Sequence, residues 1–159
     1  MRKSRPSRRL RENLKVSIRK SPQRLTIKTA QVREAIERTL TGEKRDSAEV
    51  SVLIVTDARI RELNRTYRGI DSSTDVLAFP MAEGKFAALN PDLIGDIVIS
   101  AERARVQAQQ AGHDLIDELR LLAAHGTLHL LGYEDETSRG RARMRRLAQK
   151  YAMSAEGRR

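Results

Sequence analysis

The stretch His125-Gly126-Thr127-Leu128-His129-Leu130-Leu131-Gly132-Tyr133-Glu134-Asp135 decides the fold. From Leu121 to Leu131 almost every residue is apolar or histidine, and a helix apolar all round is a buried one. His125 and His129 stand four apart and share one helix face. At roughly 1.5 Å rise per residue their side chains emerge about 6 Å apart, close enough for two imidazole nitrogens to hold one metal ion. Gly132 ends the helix as a left-handed cap. Glu134, Asp135 and Glu136 follow, where a third ligand can fold back. Three protein ligands with an open position describe a catalytic metal site rather than a closed structural one. Spacing alone leaves a second reading open: a hydrogen-bonded pair of core histidines followed by a solvated acidic turn.

Working outward, Asp114 reads as the N-cap of this helix, with Asp117 and Glu118 in its first turn where the helix dipole favours acids. Glu118 lies seven residues before His125 on nearly the same face, and orienting a ligand is its second reading. Gly126 costs about 1 kcal/mol relative to alanine in mid-helix, which points to close approach of another backbone, such as a crossing strand.

Upstream, Leu14–Ile18 alternates as a strand, and Thr29–Leu40 has helical spacing. Val50–Val55 is a β-branched buried strand. Asp57 caps a helix running through Ile60, Leu63 and Tyr67. Thr74–Phe79 is a third strand ended by Pro80, Met81–Asp92 is a weakly patterned connection, and Ile94–Ile99 is a fourth strand. A polar helix follows from Ser100 to Gly112. Downstream, Ser138 caps a last helix through Met144, Leu147 and Tyr151. The order β-α-β-α-β-β-α-α-α predicts a single α+β domain: a small mixed four-stranded sheet covered by about five helices, with the histidines on a central buried helix. The boundaries are a basic disordered arm over residues 1–11, the domain over 12–153 and a basic tail over 154–159.

A chain of 159 residues with 39% hydrophobic content suits one modest core, and 3% aromatic content leaves that core to aliphatic side chains. Cysteine is absent, so disulfides and thiolate metal sites are excluded and any metal is held by nitrogen and oxygen. This fits a reducing cytoplasm. No signal-peptide core or bilayer-length apolar stretch is present, which argues against a membrane role. The net charge is +10. It concentrates in Arg2, Lys3, Arg5, Arg8, Arg9 and Arg11 at one end and in Arg139, Arg141, Arg143, Arg145, Arg146, Lys150, Arg158 and Arg159 at the other. Such charge either solvates a tail or attracts phosphate backbones. With few aromatics, base stacking is not the main mode, and backbone contact with structured RNA is the better fit. Peptide hydrolysis is disfavoured, because His-Glu-x-x-His metalloproteases carry their general base where this chain has Gly126.

The histidine stretch resembles the signature of the YbeY-type bacterial rRNA-maturation endoribonucleases. Three other segments agree in order and spacing. Asn64-Arg-Thr-Tyr67-Arg68-Gly69 is similar to the family's Asn-x-x-Tyr-Arg-Gly. Thr74-Asp-Val-Leu-Ala-Phe-Pro80 is similar to Thr-Asp-Val-Leu-Ser-Phe-Pro, and Ile94-Gly-Asp-Ile-Val-Ile99 to Leu-Gly-Asp-Ile-Val-Ile. The resemblance spans roughly Val50 to Tyr151. It implies an α+β fold, one bound metal, usually zinc, although another divalent transition metal would also suit the donors, and single-strand-specific RNA cleavage. It further implies a role in maturing the 3′ end of small-subunit (16S) rRNA and in ribosome quality control, with rRNA and the small ribosomal subunit as partners. The family's pattern His-x3-His-x5-His places metal ligands at His125 and His129 and a third at Asp135, an aspartate where the family has histidine. Glu134 and Glu136 stay open as substitutes for it. The resemblance also makes Arg68 the catalytic arginine. Ala78 replaces a serine. Two other readings remain: a non-catalytic, metal-stabilised RNA-binding ribosome-assembly factor, and a zinc peptide hydrolase.

Overall fold

Alternation in the second strand sets the sheet's two faces. Ala48, Val50, Val52 and Ile54 are buried on one side, while Leu53 and Val55 turn to the other. In the computed structural model, which describes residues 13–81 and 92–153, this strand is β2 (Ala48–Val55). It pairs in parallel with β1 (Leu14–Ser21) and with β4 (Leu93–Ser100). β3 (Val76–Pro80) adds antiparallel to the outer edge of β4, giving the order β1-β2-β4-β3. The parallel pairs need helical crossovers. These are α1 (Thr29–Gly42) between β1 and β2, and α2 (Asp57–Arg68) on the way from β2 to β3 and β4. Three helices follow: α3 (Ala101–Ala111), α4 (Leu115–Leu130) and α5 (Ser138–Ala152). The fold is the α+β domain expected, a mixed four-stranded sheet with five helices.

Two cores lie on either side of the sheet. Val16, Val50, Ile54, Ile97 and Ile99 pack with Ile36 and Leu40 of α1 and Leu119 and Ala123 of α4. On the reverse face Val55, Leu77 and Val98 pack with Ile60 of α2. A third cluster joins Ala124 and Leu128 of α4 to Met144, Ala148 and Tyr151 of α5. α4 therefore lies between the sheet and α5, touching α1, α3, β3 and β4 as well, which is why its sequence has no polar face. The residues at the close approach are side chains, not the backbone that the glycine suggested. A Cβ on Gly126 would meet Ile97 Cγ2 at 2.9 Å and Val76 Cγ2 at 3.3 Å.

Several boundaries differ from the sequence reading for local reasons. β1 continues past Ile18 to Ser21 because its whole length stays in register with β2. Thr56, not Asp57, caps α2, its hydroxyl accepting from the Arg59 amide at 3.2 Å. Asp57 instead accepts from Ser100 Oγ at 3.0 Å. Thr137, not Ser138, caps α5, accepting from the Gly140 amide at 3.0 Å. Asp114 holds the N-cap position of α4 without a side-chain bond. The C-cap of α4 is Leu131, and Gly132 takes the positive φ of +99° one residue later. The proposed arm (1–11), the tail (154–159) and most of the 81–92 connection lie outside the described residues.

Gly126→Ala gains about 1 kcal/mol of helix propensity but forces a methyl against Ile97, an overpacking that costs about 1–3 kcal/mol. The expected net result is a loss of about 1 kcal/mol, read as a lower urea midpoint with an unchanged slope.

Candidate metal centre

α4 carries His125 and His129 one turn apart, and the chain doubles back after Gly132 so that Asp135 returns to them. His125 Nε2 lies 3.0 Å from His129 Nε2. Asp135 Oδ2 lies 3.5 Å from His129 Nε2 and 3.9 Å from His125 Nε2. One donor atom from each residue falls within 4.8 Å of the others. A tetrahedral ion with bonds of about 2.0–2.1 Å separates its donors by about 3.3 Å, so this spacing fits one divalent cation. The imidazole side chains are 29% and 27% exposed and the carboxylate 45%, which leaves a side open to a small ligand. Burial first, then the neighbouring His129, lowers the His125 pKa from its ordinary value of 6.5 and favours the neutral, ligating imidazole. Among the described residues Glu134 and Glu136 do not join this group.

The donors form one wall of a groove of about 1160 Å³. Asn64 and Arg68 of α2, Asp75 and Phe79 also line it. Three of the four matching segments thus meet here, although the histidine stretch begins more than forty residues after the other two end. The fourth, Ile94–Ile99, lies beneath: Ile97 supports Gly126 from the sheet. Arg68 ends α2, where Gly69 turns the chain with a φ of +69°. One Arg68 nitrogen donates to the Ala78 carbonyl at 2.6 Å, and the guanidinium carbon sits 5.4 Å from the Phe79 ring centroid. Ala78 therefore serves Arg68 through its backbone, and the serine hydroxyl it lacks has no part in that contact. Asn64 Nδ2 donates to the Ser72 carbonyl at 2.9 Å and ties down the loop after Arg68.

Other expectations separate from the site. Glu118 sits in the first turn of α4, as expected, and its carboxylate bonds His113 Nε2 at 2.6 Å rather than orienting His125 or His129. Asp75 carries no role in the sequence reading, yet it lines the groove beside the histidines and accepts from Gln107 Nε2 at 3.2 Å. Its signal was its place in the Thr74–Pro80 segment.

Besides Arg141, which donates to the Asp135 and Glu136 carbonyls, two devices hold the Asp135 loop. Gly140 lets α5 press against it: a Cβ there would meet the Glu134 carbonyl oxygen at 2.5 Å. Glu43, just past α1, accepts from Tyr133 Oη and, at 2.5 Å, from Tyr151 Oη. Burial, reinforced by Glu43, pushes the Tyr151 phenol far above its usual 10.0. The bond to Glu43, followed by burial, raises Tyr133 as well.

Residues 17–156 match the family model described as Endoribonuclease YbeY. A protein named Endoribonuclease YbeY from Geobacter sulfurreducens is 42% identical over 137 residues, covering 86% of this chain and 91% of the relative. Another of that name, from Desulfitobacterium hafniense, is 51% identical over 108 residues, covering 64% of this chain and 68% of its own. The solution structure of a Thermotoga maritima protein shares the fold, with a TM-score of 0.56 and 24% identity over 92% of this chain and 99% of that one.

Gly140→Ala is expected to lower affinity for a divalent cation on the order of 10-fold, as loss of an outer supporting contact does, read by metal titration. The folded state keeps the Tyr151 proton while the unfolded phenol ionises above about pH 10. Stability is then fully present below that pH and is lost as pH rises beyond it. Tyr151→Phe should flatten this alkaline decline in a series of thermal melts.

Proposed function

Because the chain belongs to the endoribonuclease YbeY family, we propose that it is a metal-dependent endoribonuclease that cuts single-stranded RNA in 16S rRNA 3′-end maturation and ribosome quality control. His125, His129 and Asp135 hold one ion, and Arg68 contacts the substrate. The observation that carries this reading is the convergence of the three donors and Arg68 on one groove. The donor set of two imidazoles and a carboxylate suits zinc, with another divalent transition metal as the alternative. A divalent cation there supplies Lewis-acid polarisation of a phosphodiester. Arg68 has five N–H donors and gives one to Ala78, so the rest of its planar fork is free to grip phosphate oxygens and stabilise developing charge. The negative charge of Asp135, in place of a neutral imidazole, weakens the pull of the site on a phosphate oxygen. The small ribosomal subunit is the partner and the cytoplasm the location. Among the described residues no helix is long and apolar enough to cross a membrane.

Peptide hydrolysis has no support: Gly126 is buried against Ile97 and supplies no general base. The test is metal content and cleavage of single-stranded RNA on purified protein. The native chain should hold one zinc and cut RNA. Asp135→Ala should weaken metal binding more than about 100-fold, beyond the cost of losing an outer partner, and lose cleavage with it. Arg68→Glu should keep the metal and cut at least about 100-fold more slowly. A native protein that binds metal yet leaves RNA intact would instead be an assembly factor.

A further inference from the structure

A second cavity, of about 240 Å³, opens on the other side of the metal donors. His125, Asp135 and Asp75 line it and the larger groove alike, so two of the three donors lie on the ridge between the two, while His129 faces the larger groove alone. Its far wall is α5, which contributes Arg141, Arg145 and Gln149. We propose that this cavity is a phosphate subsite for single-stranded RNA. The strand then crosses the ridge with one flank held at Arg68 and the other at Arg141 and Arg145. This inference rests on the endoribonuclease reading and adds the second half of the substrate path.

Charge on α5 is placed against the helix's own interest. Its 15 residues hold Arg139, Arg141, Arg143, Arg145, Arg146 and Lys150 and no acid. All six are exposed, and among the described residues none makes an ion pair. Arg139 and Arg141 occupy the N-terminal turn, where the helix dipole disfavours cations. Arg139 faces Arg143, Arg141 faces Arg145 and Arg146 faces Lys150 at the i,i+4 spacing that makes like charges repel. Arg141 and Arg145 lie on the opposite side of α5 from the other four cations, the side that lines the cavity, and a phosphate there relieves their mutual repulsion.

The two arginines of the cavity differ in freedom. Arg141 donates to the Asp135 carbonyl at 3.1 Å, the Glu136 carbonyl at 3.3 Å and Ser138 Oγ at 3.2 Å. That leaves two of its five N–H donors and its full charge. The same bonds aim it across the loop that presents Asp135. Arg145 makes no hydrogen bond among the described residues, and its whole fork remains available. Asp75 and Asp135 also face the cavity. Asp75 accepts from Gln107, and a cation held by His125, His129 and Asp135 would offset the charge of Asp135.

The test is fluorescence-anisotropy binding of a single-stranded oligoribonucleotide to zinc-loaded full-length protein across a salt series, with cleavage of the same strand measured in parallel. Arg141→Ala/Arg145→Ala is compared with Lys15→Ala/Arg19→Ala, an equal charge change on the exposed side of β1 at the opposite edge of the sheet. The α5 pair should bind roughly tenfold more weakly and lower the salt slope by about 1.4, since each single-strand phosphate contact contributes about 0.7. The β1 pair should bind as the native chain does, all variants being compared at saturating zinc, and Arg145→Ala alone, at a residue that makes no hydrogen bond to the Asp135 loop, should weaken binding in the same direction. Equal affinities in the two double variants overturn the subsite while native cleavage leaves the enzymatic reading intact. Absent native cleavage would count against the enzymatic reading alone, because the subsite is judged on the binding difference. A duplex bound as tightly as the single strand, with the same loss in the α5 pair, would overturn the single-strand path.

Discussion

The contact between α4 and the sheet at Gly126 is the constraint on which the rest depends. With no side chain there, Ile97 and Val76 reach the helix surface between the two histidines in sequence. That approach seats α4 between the sheet and α5, and the seating fixes where His125 and His129 project. The histidines emerge at the margin of this packing, half-buried, with dry helix on one side of them and an open groove on the other. Everything that surrounds them is hung from the same helix. α5 packs along it, the acidic loop leaves its C-terminal end, and β3 with Arg68's carbonyl partner runs alongside.

Much of this was legible because α4 is so uneven in composition. An apolar run interrupted only by histidines and small residues has few placements other than the middle of a domain. The succession of strands and helices along the chain and the pair of histidines also follow from period and spacing, whereas the order β1-β2-β4-β3 within the sheet does not. What failed was of a different kind. Cap positions were assigned by residue preference, and at Thr56 and Thr137 a hydroxyl one residue earlier reached the amides first. Glu118 stands in the first turn as its position predicts, but its partner, His113, comes from the preceding turn and is not visible in helical spacing. The second cavity was invisible because its walls come from three separated stretches, and a run of C-terminal arginines reads the same whether it faces solvent or a site. Folding back of a chain sets such neighbours, and no local pattern records it.

Asp135 shows how the molecule holds a short carboxylate in reach of two imidazoles. Aspartate extends less far than histidine, so the loop bearing it has to lie close to α4. Gly140 lets α5 press on that loop from one side, while Glu43 anchors Tyr133, two residues before Asp135, from the other. The carboxylate is thus positioned by three helices, although it belongs to none of them.

That placement bears on the order of events in making the protein. An ion held by these donors would cross-link only the span from His125 to Asp135, a stretch too short for its closure to remove much freedom from the unfolded chain. Zinc-finger modules, by contrast, depend on their metal to fold at all. Here helix packing, the close approach at Gly140 and the Glu43 clamp have already gathered the ligands. A metal would enter a site already gathered, and one ion could be exchanged for another without refolding the scaffold.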